Sequence, residues 1–408
     1  MSRSTPCLLA LVVAACAHAP IAACPTPRVG ASSTTARPSR VVLVSIDGLK
    51  PEYLLEADAR HEAIPTLRAL MGVGVTSSGM IGLWPTVTYP AHTTLVTGVS
   101  PAQHGVVSNH PFDPMLVNDD GWFWYASAIR TPTLWHAAHA VGKSVGGVYW
   151  PVTVGATEID WNVPQYWRTK TDFDDAMMRS LATPGLADEI DAAYHVLPAE
   201  HRTDHERGNA AELILKTKRP DFMLVYFTDL DTIQHGHGPF SAEAYATLEQ
   251  IDRELGRVVQ ATVDAGTRDD TTFVIVSDHG FSPIDHTLRP LVTLRGKGLV
   301  DVDVLGKVTG WRAAIMPAGG ACGVYLAHPE DRAVEDETRA AIDALVTLAH
   351  GGIATVYEGK DVEALGGFPG ARWVLDASDG YSFSGATLGA EVGPSGDQGA
   401  HGYAPTHA

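Results

Sequence analysis

The chain has 408 residues, 45% of them hydrophobic and 19% charged; that is enough apolar material for a sizeable core and excludes disorder as the main state. Asp plus Glu number 47 against 29 Lys plus Arg, a formal net charge of −18, which argues against a binder of nucleic-acid backbones because phosphate recognition needs clustered cations. An anionic substrate would then need a local positive centre, a bound metal ion being the obvious one, and this directs attention to the positions of the 18 histidines.

Read from the N-terminus, Arg3 precedes a short apolar run, Cys7 to Cys16. The run is too short to cross a bilayer and suits the core of a signal peptide. Val13-Ala14-Ala15-Cys16 resembles a bacterial lipobox, with Cys16 as the lipidated residue; Ile21-Ala22-Ala23-Cys24 is a second candidate and cleavage after Ala19 a third. Residues 1–23 are therefore expected to be a signal, and the chain an exported, periplasmic or membrane-anchored lipoprotein of a bacterium. Residues 24–39, rich in Ser, Thr and Pro, read as a disordered linker. No later run is apolar enough to span a membrane, so the remainder is expected to be soluble. Of the four cysteines only Cys322 lies in the body, which argues against a disulfide framework and excludes a cysteine-based metal site.

From residue 40 onward the pattern alternates. Val41 to Ile46, Asp221 to Phe227 and Thr271 to Ser277 are continuous apolar, β-branched runs that predict strands buried on both faces, with Ser144 to Trp150 a weaker fourth. Between them, Thr203 and Glu206 form a capping box that opens a helix. A longer helix follows Ser241, with Tyr245, Leu248, Ile251, Leu255 and Val258 on one face. Another covers 335–352, acidic at its start and ending in glycine. This order predicts an α/β fold: a mostly parallel central sheet with helices on both faces. Residues 40–408 read as a single catalytic domain. Two stretches, about 110–200 and about 285–395, read as cap-type insertions in which Trp150, Trp161 and Trp167 would influence substrate choice.

Each clear strand runs into an acidic or histidine cluster: Asp47 after the first, Asp231 and His235 after the next, Asp278 and His279 after the last. In open α/β sheets the ligand lies beyond the carboxyl ends of the strands, so these residues should converge on one rim. Carboxylate oxygen and imidazole nitrogen are the donors zinc takes where thiolate is absent. Five such residues are too many for one catalytic zinc, and suit two metals roughly 3.5–4 Å apart that clamp the two ends of a phosphoryl transfer. Thr88 stands at an expected helix start. It is either a plain N-cap or a hydroxyl that a helix N-terminus and an adjacent metal could ionise.

The segments VSIDG, PTVTYPAHTTLVTG, HGVVSN, DLDTIQHGHGP, SDHG and HGY, in this order, resemble the nucleotide pyrophosphatase/phosphodiesterase family of the alkaline phosphatase superfamily over about residues 40–403. The resemblance implies an alkaline-phosphatase-like fold. It implies that Asp47, Asp278 and His279 hold one zinc and Asp231, His235 and His401 the other, with manganese or iron able to substitute. It implies Thr88, bound to the first zinc, as nucleophile, and Asn109 as donor to a non-bridging phosphate oxygen. Tyr89 and Tyr226 match positions that sandwich a nucleobase. The implied reaction is hydrolysis of a small phosphodiester or nucleotide pyrophosphate bond in two steps through a phospho-threonine intermediate.

The chain also departs from the family pattern. Ala91 replaces a usual Asn, Gln234 a frequent Gly and Ala404 a usual Asp. The chain stops at HGYAPTHA, where relatives continue into another strand and helix, so it reads as truncated at the C-terminus and His401 is expected to lie in a fraying end. His92 and His104 are expected to brace the nucleophile loop. Two alternatives remain beside the diesterase: a phosphomonoesterase or phosphonate hydrolase on the same scaffold, and an inactive surface-anchored binding lipoprotein. A sulfatase is disfavoured, because its C/S-x-P-x-R motif is absent. Oligomeric state is not readable.

Overall fold

A computed structural model describes residues 40–118, 121–166, 172–194 and 203–405. The signal, lipobox and linker expectations, Cys16 included, and the expectation for Trp167 lie outside these residues. Among them, no helix is long and apolar enough to cross a membrane.

The five-stranded central sheet consists of β1 (Arg40–Ile46), β2 (Val145–Val148), β3 (Trp161–Val163), β4 (Phe222–Phe227) and β5 (Thr271–Val276). Their order is β3-β2-β4-β1-β5 and every pairing is parallel. In register, Val44 of β1 faces Val225 of β4 on one side and Ile275 of β5 on the other. All six residues of β4 are buried, as a strand covered on both faces requires. On one face, Val42, Val44, Ile46, Met223 and Val225 pack against Ile214 of the helix Asp204–Thr217 and against Leu248, Ile251, Leu255 and Val258 of the helix Ala242–Asp264. On the other, Leu43, Leu224 and Tyr226 meet Val96 of the helix Thr88–Thr97 and Trp135 of the helix Leu134–Ala140. The caps read from the sequence form: Thr203 and Glu206 make a capping box, and the Ser241 side chain accepts from Ala244 N. β5 is an outer strand, and Val274 on it is 39% exposed.

The stretch over about 110–200 does more than cap the sheet, because β2 and β3 belong to it. After β5, β6 (Ser282–Leu288), β7 (Val300–Val302), β8 (Val308–Trp311), β9 (Ala313–Ala318), β10 (Ala321–Leu326), β11 (Ile353–Glu358), β12 (Trp373–Ala377), β13 (Gly380–Phe383), β14 (Val392–Pro394) and β15 (Gly399–Ala400) build the Gly-rich region. Within it β11-β12-β10-β9 is an antiparallel sheet. Its second core joins Ile315, Val324 and Leu375 to Ile342 and Leu345 of the helix Arg332–Leu348. β6 pairs with β13, β14 and β15, and so carries the chain back toward the rim of the central sheet.

Candidate active site

β1 runs directly into Asp47, whose amide donates to Phe227 O at 2.9 Å and ties the turn to the end of β4. Beyond β5, Asp278 accepts from Gly48 N at 3.3 Å and Ser277 Oγ accepts from Leu49 N at 2.9 Å, joining that strand end to the same turn. β4 leads into the helix Asp229–His237, where Asp231 and His235 are four residues apart and share a face. No side chain of its own caps this helix. Asp204 does so from a neighbouring helix, accepting from Thr228 N at 2.8 Å and Asp229 N at 3.0 Å, while Asp229 accepts from Asp204 N at 2.9 Å. Arg207 bridges the two carboxylates at 2.5 and 3.0 Å and lies over the Tyr149 ring.

His401 follows β15 and is not frayed, contrary to the expectation. Its carbonyl accepts from Gly320 N at 2.8 Å. Trp84 Nε1 donates to Gly402 O and Thr86 Oγ1 to Tyr403 O, both at 2.8 Å. A Cβ at Gly319 would lie 2.0 Å from His401 O, so this approach requires glycine there.

The predicted ligands form two sets. The ligand atoms of Asp47, Asp278 and His279 lie within 4.8 Å of one another, and so do those of Asp231, His235 and His401. His279 Nε2 is 3.2 Å from Asp47 Oδ1 and 3.3 Å from Asp278 Oδ2. Asp231 Oδ1 is 3.5 Å from His235 Nε2 and 3.6 Å from His401 Nε2. The His279 and His401 rings stack at 3.7 Å, which makes the sets neighbours. Thr88 is the first residue of its helix, with Val87 as cap, so the plain N-cap reading does not hold. Its Oγ1 is 3.3 Å from His279 Nε2. Asn109 Oδ1 accepts from Tyr89 N at 2.9 Å, which anchors Asn109 beside the nucleophile candidate and leaves its Nδ2 as donor.

Both sets have the chemistry of cation sites. His279, His235 and His401 each present Nδ1 to a backbone carbonyl, those of Gly280, Gly399 and Thr86, each at 3.1 Å. A carbonyl only accepts, so Nδ1 carries the proton and Nε2 is a bare acceptor, the arrangement metal-ligating histidines use. Opposite them Asp47 Oδ1, Asp278 Oδ2 and Asp231 Oδ1 are buried without a hydrogen-bond donor. Six acceptor atoms thus converge; the Thr88 hydroxyl reaches one of them, His279 Nε2, at 3.3 Å, and the three carboxylate oxygens have no partner. Buried polar atoms are normally paired, and bound cations would pair these.

Titration directions agree. Burial lowers His279 to about 4; burial and then the neighbouring His279 lower His401 to about 3, so both rings are neutral at neutral pH. Burial, then Asp231 and Asp278, push Asp47 well up, and burial pushes Asp278 up. Burial also acts to raise Asp231, but the adjacent His235, His401 and His279 outweigh it and hold the carboxyl below its ordinary value. Burial pulls His235 down, and the Asp231 carboxylate outweighs it, leaving His235 raised. A cavity of about 880 Å³ opens beside Asp278, His279 and His401 and runs along β5 past Phe273 to Leu67 and Met80.

The type I phosphodiesterase / nucleotide pyrophosphatase family model matches residues 41–404. The chain belongs to that family. Mouse ectonucleotide pyrophosphatase/phosphodiesterase family member 1 is 28% identical over 284 residues, 68% of this chain and 27% of that protein. Venom phosphodiesterase 2 of Crotalus adamanteus is 25% identical over 252 residues, 60% of this chain and 27% of that protein. The chain thus spans little more than a quarter of these curated relatives. Human ectonucleotide pyrophosphatase/phosphodiesterase 5 shares the fold, with a TM-score of 0.62 at 20% identity, covering 90% of this chain and 84% of that one. An inactive murine form in complex with AMP has a TM-score of 0.60 at 18% identity over the same shares.

In this phosphodiesterase-family chain two expectations need correction. Tyr226 cannot sandwich a base, because it is buried, its ring against His92 at 4.3 Å and its hydroxyl donating to Asp47 Oδ2. Tyr89 is equally enclosed, with Val106, Trp124, Val152 and Tyr166 around it. Tyr226 instead orients Asp47, a role that an aromatic in an apolar strand does not advertise. His92 braces the nucleophile as expected, its Nδ1 2.8 Å from Thr88 O. His104 is buried against Thr94 Oγ1 at 3.1 Å. The Asp204–Arg207–Asp229 bridge escaped the sequence reading, in which Glu206 of the capping box was the only signal nearby.

Proposed function

We propose that this chain hydrolyses phosphodiester or pyrophosphate bonds in small nucleotide-type substrates, with Thr88 as nucleophile and two divalent cations, zinc by donor type, as cofactors. Manganese and iron accept the same donors. The observation that carries the reading is the convergence of six acceptor atoms, three of them buried carboxylate oxygens without a donor, beside the Thr88 hydroxyl. Asp47, Asp278 and His279 would hold one ion, and Asp231, His235 and His401 the other. When bound, the cations supply positive charge that lowers the basicity of the attacking oxygen and offsets the charge on the departing one. Thr88 Oγ1 attacks phosphorus as the bond to the leaving oxygen breaks, giving a phospho-threonine. Water then attacks that phosphorus, the bond to Thr88 breaks and the hydroxyl returns. Asn109 Nδ2 donates to a non-bridging oxygen and holds the phosphoryl group in line. The nucleotide preference is drawn from the family and from the AMP complex of a fold relative.

The test is a paired assay with zinc on a p-nitrophenyl nucleotide diester and on p-nitrophenyl phosphate. Diester turnover that disappears in Thr88→Ala is the expected result. A monoester preference would replace the reading with a phosphomonoesterase. We also infer export with a lipid anchor at Cys16, from the apolar run and lipobox-like segment; incorporation of labelled palmitate, lost in Cys16→Ser, is the expected outcome.

A further inference from the structure

Gln234 links the helix of one ligand set to the turn of the other. It is fully buried and sits on the helix that carries Asp231 and His235. Its Nε2 donates to Gly48 O at 3.0 Å, in the turn that follows Asp47. The same glycine donates its N–H to Asp278. At the other end of the amide, Oε1 accepts from Tyr53 OH at 3.0 Å, and Tyr53 OH accepts from Phe240 N at 2.7 Å. Both ends of the side chain are therefore fixed. Packing fixes it further: a Cβ on Gly48 would lie 2.7 Å from Gln234 Nε2, and one on Gly399 2.6 Å from Gln234 O. Gly399 is the residue whose carbonyl orients His235.

A residue that only filled space here would be apolar, because a buried amide costs free energy unless both its ends are bonded. Gln234 bonds at both ends, and one of those bonds joins the helix of the second set to the turn of the first. We propose that Gln234 is a positioning residue that fixes the spacing of the two ligand sets. This rests on the reading above that both sets hold ions. Direct partners of metal ligands govern affinity by about 10- to 100-fold, and Gln234, one bond further out, should act at the lower end of that range.

The test titrates the full chain with zinc against a chromophoric chelator and reads ion content by mass spectrometry. The unsubstituted chain should load two zinc ions. Gln234→Met, of similar length but unable to make either bond, should keep one tight ion and bind the second about 10-fold more weakly. Tyr53→Phe removes only the far anchor and should shift affinity the same way by less. At saturating zinc Gln234→Met should lower kcat and leave KM unchanged. Wild-type affinity for both ions in Gln234→Met overturns the proposal, and so does wild-type affinity in Tyr53→Phe if Gln234→Met fails to fold. Fewer than two ions in the unsubstituted chain removes the two-metal reading itself, an outcome visible before any variant is made.

Discussion

Asp47, Asp278 and His279 have side chains no more than 3% exposed, whereas Asp231, His235 and His401 stand at 19%, 36% and 12%. The first set is made from two adjacent strand ends, locked by Gly48 N to Asp278 and by Tyr226 to Asp47. The second combines one helix with a loop that arrives from the far end of the chain. An ion in the first set would be enclosed beside the nucleophile. An ion in the second would face solvent, on the side from which a leaving group would depart in the proposed reaction. Two sites of the same donor type thus differ in burial and in what holds them, and that difference can be attacked directly.

The largest effect is expected from Thr88→Ala. Diester turnover should fall by at least about 10³-fold, because the attacking atom is gone, while ion content stays at two; loss of the first ion as well would mean that Thr88 is chiefly a ligand. Next comes Arg207→Met. It leaves the Asp204 and Asp229 carboxylates without a countercharge behind the second set, and breaking such a buried bridge costs about 3–5 kcal/mol. Urea unfolding measures this, and a loss under ~1 kcal/mol would show that the second set needs no anchor from behind.

His279→Ala and His235→Ala form a matched pair. His279 is enclosed, so its removal should cost about 2–4 kcal/mol of stability together with the first ion. His235 is open, so its removal should cost under ~1 kcal/mol together with the second. Equal costs would erase the contrast. The smallest effect is on pH. Neutral imidazole is the ligand, so protons compete first at the histidine with the highest pKa. That is His235, raised by Asp231, whereas His279 titrates at about 4 and His401 at about 3. On acidification from about pH 7.5 to about pH 5.5 the second set should release its ion while the first keeps its own, and raising the pH should reload it. Ion content after dialysis across this range checks the order; loss from the first set before the second would contradict it.

Strand-end chemistry was legible because VVLVSI and FMLVYF are uninterrupted apolar runs, and whatever follows such a run must emerge at the rim. The same rule hid β3. Its Asn162 breaks the apolar pattern, yet it is buried with Nδ2 donating to Thr153 O at 2.9 Å. The antiparallel sheet was hidden by glycines such as Gly323 in β10, which carry no side-chain signal. Tyr89 and Tyr226 were found as positions and misjudged as surfaces, since sequence does not say which way a ring faces. His401 looked insecure because its restraints, Trp84 and Thr86, lie more than three hundred residues upstream.

That last contact also orders the molecule in time. The peptide segment just before Thr88 is clasped by residues 401–403, and Trp84 and Gly402 are separated by 318 positions. Synthesis runs from the N-terminus, so the strands of the parallel sheet are made before residues 401–403. The parallel sheet can assemble around β1, β4 and β5 before this clasp exists. Thr88 and the second ligand set come into alignment only once residues 401–403 are in place.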